Sequence, residues 1–105
     1  MSVMNPELGF YALAGQPESP RDLIDEVQQG EAMGLGTAFL SERYNSKEIC
    51  TLSGAAGAVT DSIRIATAAT NHNTRHPIVT AGYALTMHGL TGGRFTLGIG
   101  RGIAP

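Results

Sequence analysis

The chain has 105 residues, 42% of them apolar and 15% charged, with a formal charge of −2, the composition of at most one globular domain. Its seven Lys and Arg are scattered, with no basic run and no interleaved aromatic residues, so nucleic acid is not an expected partner. No run of about 18 apolar residues occurs, the first ten residues lack the pattern of a secretory signal, and the single Cys50 allows neither an internal disulfide nor a cysteine metal cluster, so a cytoplasmic location without membrane contact is expected.

In chain order, four short apolar runs bounded by Gly, Pro, Asn or Ser read as buried strands: Leu8 to Leu13, Thr37 to Ser41, Ile63 to Thr70 and Phe95 to Gly100. A first helix is predicted from "SPRD", with Ser19 as cap, Pro20 at the first helical position and Asp22 at the capping-box spacing. Leu23, Ile24 and Val27 begin its apolar face, Gly30 and Gly34 let it lie close to a sheet, and Gly34 or Gly36 ends it. A second helix is predicted from "NSKE", with Asn45 as cap and Glu48 three residues on, and its stripe is Ile49, Leu52, Ala56 and Val59. A third follows Pro77, carries Ile78, Ala81 and Leu85 on its apolar side, and stops at Gly92 and Gly93.

The strand starts at 8, 37, 63 and 95 are far enough apart for a crossover helix each time, which predicts parallel pairing. A complete (β/α)₈ TIM barrel needs roughly 250 residues. Four parallel strands and three helices add up to half of such a barrel, while a doubly wound open sheet produces the same local periodicity, so the periodicity by itself does not choose between them. In both architectures ligands lie beyond the carboxyl ends of the strands. Those ends, "ALAGQPES", "LSERYNSKE", "ATNHNTRHP" and "GIGRGIAP", collect the polar residues, while the opposite ends, "LGT", "DS" and "GGR", are short and plain.

Four segments, "LGFYAL", "EAMGLGTAFLSERYN", "ATNHNTRHPIVTA" and "LTGGRFTLGIGRG", together resemble the bacterial luciferase-like family of flavin- and deazaflavin-dependent oxidoreductases. The third is most similar to the branch that uses 8-hydroxy-5-deazaflavin (coenzyme F420). The resemblance implies a (β/α)₈ barrel of which residues 1–105 form the N-terminal part, truncated at the C-terminus. It implies hydride transfer between the deazaflavin and a small organic substrate, or, as the alternative, an FMN monooxygenase supplied by a partner flavin reductase. A third alternative is an inactive fragment or assembly subunit.

Site residues follow from the same resemblance. A non-proline cis peptide is implied at Ala68-Ala69, with Thr70 and Asn71 offering hydroxyl and amide groups to the cofactor's polar edge. Ser41, Gly100, Arg101 and Gly102 are the other implied cofactor neighbours. Where relatives place an acidic residue followed by histidine, this chain has Glu42 and Arg43, the candidate catalytic pair; arginine stays protonated and is a poor general base. Arg43 has two readings, a grip on an anionic cofactor edge or substrate, and a salt bridge to Glu42 or Glu48 that orders the loop.

His72 and His76 have the i, i+4 spacing of a zinc helix, but Asn73 stands where its glutamate belongs and Pro77 starts the helix only afterwards, so no metal is expected. His76 is expected to cap the third helix, and His88 to interact with that helix's terminal carbonyls. Four isolated parallel strands would expose two edges and an apolar face, so the chain by itself is expected to form a homo-oligomer, a dimer completing a barrel-like sheet, or else to be poorly soluble. The isolated chain is also expected to be inactive.

Overall fold

The computed structural model describes residues 5–14, 18–43, 47–71 and 75–100, with Asn5, Ala69 and Asn71 described through their backbone alone. The elements are β1 (Asn5–Tyr11), α1 (Asp22–Ala32), β2 (Leu35–Ser41), α2 (Ile49–Ala58), β3 (Arg64–Asn71), α3 (Pro77–Thr91), β4 (Phe95–Thr96) and β5 (Ile99–Gly100). The strands pair in parallel in the order β1-β2-β3-β4, and β5 also pairs with β3. A doubly wound sheet reverses its strand order at a switch point. No reversal occurs here, so the architecture is that of consecutive barrel strands, and the choice that periodicity left open is made by topology.

One face of the sheet is covered. Along β2, Gly36, Ala38 and Leu40 are buried, while the alternate residues Thr37 and Ser41 are half-buried and Phe39 is 37% exposed. The buried set meets Leu23 and Val27 of α1, Ile49, Leu52 and Ala56 of α2, Met87 of α3, and Ile63, Ile65 and Phe95 in a single core. Each fully buried Leu, Ile or Val there contributes roughly 1.5–3 kcal/mol. The predicted stripe of α2 is thus confirmed, Val59 being half-buried at its end. The predicted close approach of α1 also occurs, because Gly30 is buried against the Phe10 ring of β1.

Helix ends differ from expectation in instructive ways. Ser19 Oγ accepts from Arg21 N at 3.2 Å and caps a preceding turn, so α1 begins at Asp22 rather than at Pro20. Glu48 is itself the cap of α2, accepting from Cys50 N and Thr51 N, both at 2.9 Å, so it occupies the place assigned to Asn45, which lies outside the described residues. His76 caps α3 as expected: its Nδ1 accepts from Ile78 N at 3.1 Å. The helix closes on Gly92 in the left-handed conformation (φ 63°), which favours glycine. The ring of His88 lies beside that turn, near Gly93, and makes no hydrogen bond among the described residues.

The apolar side assigned to α3 needs correction. Ile78 and Leu85 are 74% and 73% exposed, and Ala81 is exposed as well. The inward side is instead Thr80, Ala84, Met87 and Thr91, at i, i+4, i+7 and i+11. Threonine reads as polar in a sequence, yet Thr91 Oγ1 donates back to Met87 O at 2.7 Å and so enters the core with its hydroxyl bonded. Thr80 Oγ1 is buried without a partner among the described residues.

At the amino-terminal end of the sheet, Glu31 of α1 accepts on Oε2 from Asp61 N (2.8 Å), Ser62 N (2.6 Å), Ser62 Oγ (3.2 Å) and Ile63 N (3.0 Å). Burial pushes its pKa up, but these donors outweigh burial and hold it below the ordinary carboxylate value. A carboxylate with a lowered pKa stabilises the fold above its unfolded pKa, and that contribution is lost as pH falls through the folded value. Glu31→Gln is expected to cost about 1–3 kcal/mol at neutral pH. The difference from wild type should shrink as pH falls below about 4, and urea unfolding at pH 7 and pH 3 checks this; an equal difference at both would refute it.

Candidate active site

The carboxyl end of the sheet is shaped by two irregularities. Between β2 and β3 the register passes from Leu40↔Thr67 to Ser41↔Ala69, so Ala68 is an extra residue that bends β3. Beside it the predicted fourth strand is split into β4 and β5, because Thr67 takes the place of a backbone partner for Gly98. Gly98 N donates to Thr67 Oγ1 at 2.6 Å, Thr67 Oγ1 donates to Gly98 O at 2.9 Å, and Thr70 N donates to the same oxygen at 3.0 Å. A Cβ on Gly98 would strike the Thr67 carbonyl oxygen. Gly98→Ala is therefore expected to cost about 1–3 kcal/mol and to loosen β5; unchanged urea stability together with undiminished amide protection at Gly100 would count against it.

No cis peptide bond occurs among the described residues, so the cis Ala68-Ala69 link implied by the resemblance is not seen. The bulge at Ala68 stands there instead, and Ala68 is exposed at the rim. Thr70 is fully buried, and Gly100 pairs with Asn71 in the β3–β5 ladder. Arg101, Gly102 and His72 lie outside the described residues.

Glu42 and Thr70 are joined by a residue that sequence reasoning passed over. Arg75 Nη2 is bonded to Glu42 Oε2, Arg75 Nη1 donates to Thr70 Oγ1 at 2.7 Å, and Thr70 Oγ1 donates to Glu42 Oε1 at 2.8 Å, which closes a ring of three side chains. Ile49 N at the start of α2 donates to Glu42 at 3.3 Å, and Arg75 also reaches Glu48 at 3.7 Å. The arginine that pairs with both glutamates is thus Arg75 and not Arg43. With its oxygens taken up by these donors, Glu42 is placed to tie three elements together. Arg43 is exposed, and its backbone N and O pair with those of Lys47 in an antiparallel bridge.

The charges around this ring follow from their donors. Burial raises the pKa of Glu48, but Thr51 Oγ1 and the Thr51 and Cys50 N–H groups outweigh it and hold the group down to about 2. Burial pushes the Cys50 thiol up, and the two glutamates add to that while Arg75 opposes it, so Cys50 is not an activated nucleophile. Burial likewise pushes Tyr83 up to about 12 despite the 2.7 Å hydrogen bond to Ser53.

Beside the ring, at the ends of β1 and β2, a cavity of about 430 Å³ is lined by Tyr11, Ala14, Ser41, Glu42, Arg43 and Lys47. That volume lies within the ~300–1,000 Å³ common for small-molecule sites. Lys47, which sequence reasoning also missed, is buried, and its Nζ donates to Leu13 O at 2.9 Å and to Ser41 Oγ at 3.4 Å. Its only sequence signal was a charged residue within the polar segment after β2. A half-exposed tyrosine, small side chains at Ala14, Ser41 and Ala68, and a fixed cation suit a flat, polar-edged ring, so the residues present fit a flavin or deazaflavin. No group of three or more His, Cys, Asp or Glu able to hold a metal is found among the described residues.

A parallel sheet in sequential order, helices on one face and a polar cavity at the carboxyl ends are the arrangement of part of a (β/α)₈ barrel. The family model described as "luciferase-like monooxygenase" matches residues 4–105, and the chain belongs to that family. It is 28% identical over 85 residues to the 5,10-methylenetetrahydromethanopterin reductase of Methanopyrus kandleri, covering 81% of this chain and 24% of the relative. It is 29% identical over 72 residues to the corresponding reductase of Methanolobus tindarius, covering 69% and 22%. The chain thus spans about a quarter of the length of these relatives.

Among solved structures, the coenzyme F420-dependent tetrahydromethanopterin reductase of M. kandleri superposes with a TM-score of 0.82 at 25% identity, covering 94% of this chain and 28% of that one. The FMN-bound oxygenating component of 3,6-diketocamphane monooxygenase from Pseudomonas putida superposes at 0.78 and 26% identity, covering 97% and 30%. A monooxygenase from Streptomyces bottropensis shares the fold at 0.76 and 23% identity, covering 97% and 34%. No helix among the described residues is long and apolar enough to cross a membrane.

Proposed function

We infer that the intact protein is an oxidoreductase that moves a hydride between a deazaflavin and a small organic substrate, with the rim of β1, β2, β3 and β5 holding the ring. The observation that supports this most directly is that both sequence relatives above are methylenetetrahydromethanopterin reductases, one of them at 28% identity over 81% of the chain. The bound ring would supply the hydride chemistry. This chain's residues would position it: Ala68 leaves room for a planar face, Ser41 and Lys47 offer donors, and the Glu42–Thr70–Arg75 ring keeps the ends of β2 and β3 at a fixed separation.

The FMN-bound neighbour with a TM-score of 0.78 supports a second reading, an FMN monooxygenase that receives reduced flavin from a separate reductase. Under either reading the partners are a small-molecule substrate and further copies of the same chain. Titrating the intact protein with coenzyme F420 and with FMN separates the two. Tighter binding of F420, with bleaching of its visible absorbance when substrate is oxidised, is the expected result, and tighter binding of FMN would transfer the assignment to the second reading.

A further inference from the structure

We propose that Lys47 is the anchor for an anionic group, a carboxylate or phosphate, on a ligand bound in the cavity at the ends of β1 and β2. Lys47 is only 8% exposed, and no carboxylate lies within ion-pair distance of its Nζ among the described residues. The two glutamates nearest in sequence are committed elsewhere: Glu42 to Arg75, Thr70 and Ile49 N, and Glu48 to Cys50, Thr51 and Arg75. A buried ammonium without a counter-ion is costly. The cost is greater here because Lys47 lies two residues before the start of α2, at the positive end of the helix dipole.

An ammonium has three N–H donors, and two are used, on Leu13 O and Ser41 Oγ. Both acceptors are neutral, so among the described residues they satisfy hydrogen bonds without a direct counter-ion; the Glu26 carboxylate, which accepts from Leu13 N at 2.8 Å, is bonded to the same Leu13 residue but forms no ion pair with Lys47. The cavity wall repeats the imbalance. Its charged residues are Glu42, Arg43 and Lys47; Glu42 is neutralised by Arg75 from outside the lining, and Arg43 is exposed with no side-chain partner among the described residues. Among the described residues the lining is therefore net positive, and an anion entering the cavity meets the buried cation of Lys47 and the exposed one of Arg43. The inference rests on the reading above only for the source of the anion, which is either the cofactor's own phosphate or the substrate.

The test uses the intact protein and five probes: inorganic phosphate, benzoate against neutral benzamide, and FMN against riboflavin, titrated calorimetrically or by flavin fluorescence. Wild type is expected to bind benzoate more tightly than benzamide and to bind phosphate. Lys47→Gln, which keeps a donor for Leu13 O, should weaken anion binding about 10–100-fold, while Lys47→Arg should largely preserve it. If the substitution also erases the preference for FMN over riboflavin, the anion is the cofactor's phosphate; if that preference survives while benzoate binding is lost, the anion belongs to the substrate. Equal binding of benzoate and benzamide by wild type, a comparison that needs no variant, overturns the proposal. So does anion binding that is unchanged in Lys47→Gln. A protein that binds neither FMN nor F420 but still prefers benzoate would refute the cofactor reading and leave Lys47 as the anion anchor.

Discussion

Arg94→Met is expected to destabilise the protein by about 3–4 kcal/mol. Arg94 precedes β4 at the amino-terminal end of the sheet, and all its nitrogens are used. Nε donates to Thr91 O at 2.8 Å, Nη1 to Ile63 O at 2.6 Å and Thr60 Oγ1 at 3.1 Å, and Nη2 to Thr60 O at 3.0 Å and Gly57 O at 3.4 Å. Charge-assisted bonds of this kind are worth about 1.5–3 kcal/mol each taken alone and do not add in full. The planar fork joins the end of α2, the loop before β3 and the end of α3, so a lysine in its place could reach only a subset of these carbonyls. Urea unfolding should show the midpoint falling with the slope unchanged, and a loss below about 1 kcal/mol would mean that the bonds exchange freely with water.

At the opposite end, Arg75→Met is expected to cost about 2–4 kcal/mol, because it leaves the Glu42 carboxylate partly buried without its cation and Thr70 Oγ1 without a donor. The 3.7 Å contact to Glu48, which is 56% exposed, adds little to this. A double-mutant cycle with Glu42→Gln isolates the pair, and a coupling of about 1–3 kcal/mol is expected. Additivity within about 0.5 kcal/mol would show that the ring does not act as a unit. Ligand affinity should fall along with stability, since the same ring fixes the position of Glu42, which lines the cavity.

The two arginines show where reading residues in order succeeds and fails. Polar density marked the carboxyl ends, where the cavity and the Glu42–Thr70–Arg75 ring also lie, because a parallel sheet brings those loops together whatever their sequence. The segments "DS" and "GGR" looked plain at the other end, yet with Glu31 and Arg94 they carry a dense polar network. Its donors and acceptors are mostly backbone groups about 30 residues apart, which have no signature in side-chain chemistry. Arg43 was the conspicuous arginine beside Glu42, but Arg75, 33 residues later, makes the pair, because β2 and β3 are neighbours and the chain returns to the same rim.

By itself the sequence determined the number of strand–helix units and their parallel sense, through the spacing of the apolar runs, and the apolar face of α2, the His76 cap and the glycine stop of α3, through residues within one to three turns of one another. Family membership was legible in the same way, through four local segments. The tertiary structure alone decided that the sheet runs in sequential order, that α3 turns its threonines inward and Ile78 and Leu85 outward, that Phe95 to Gly100 breaks at Gly98, and that Lys47 is buried without a counter-ion among the described residues. Those outcomes depend on which distant segment comes to lie against each residue, and that pairing energy is not written in any local pattern.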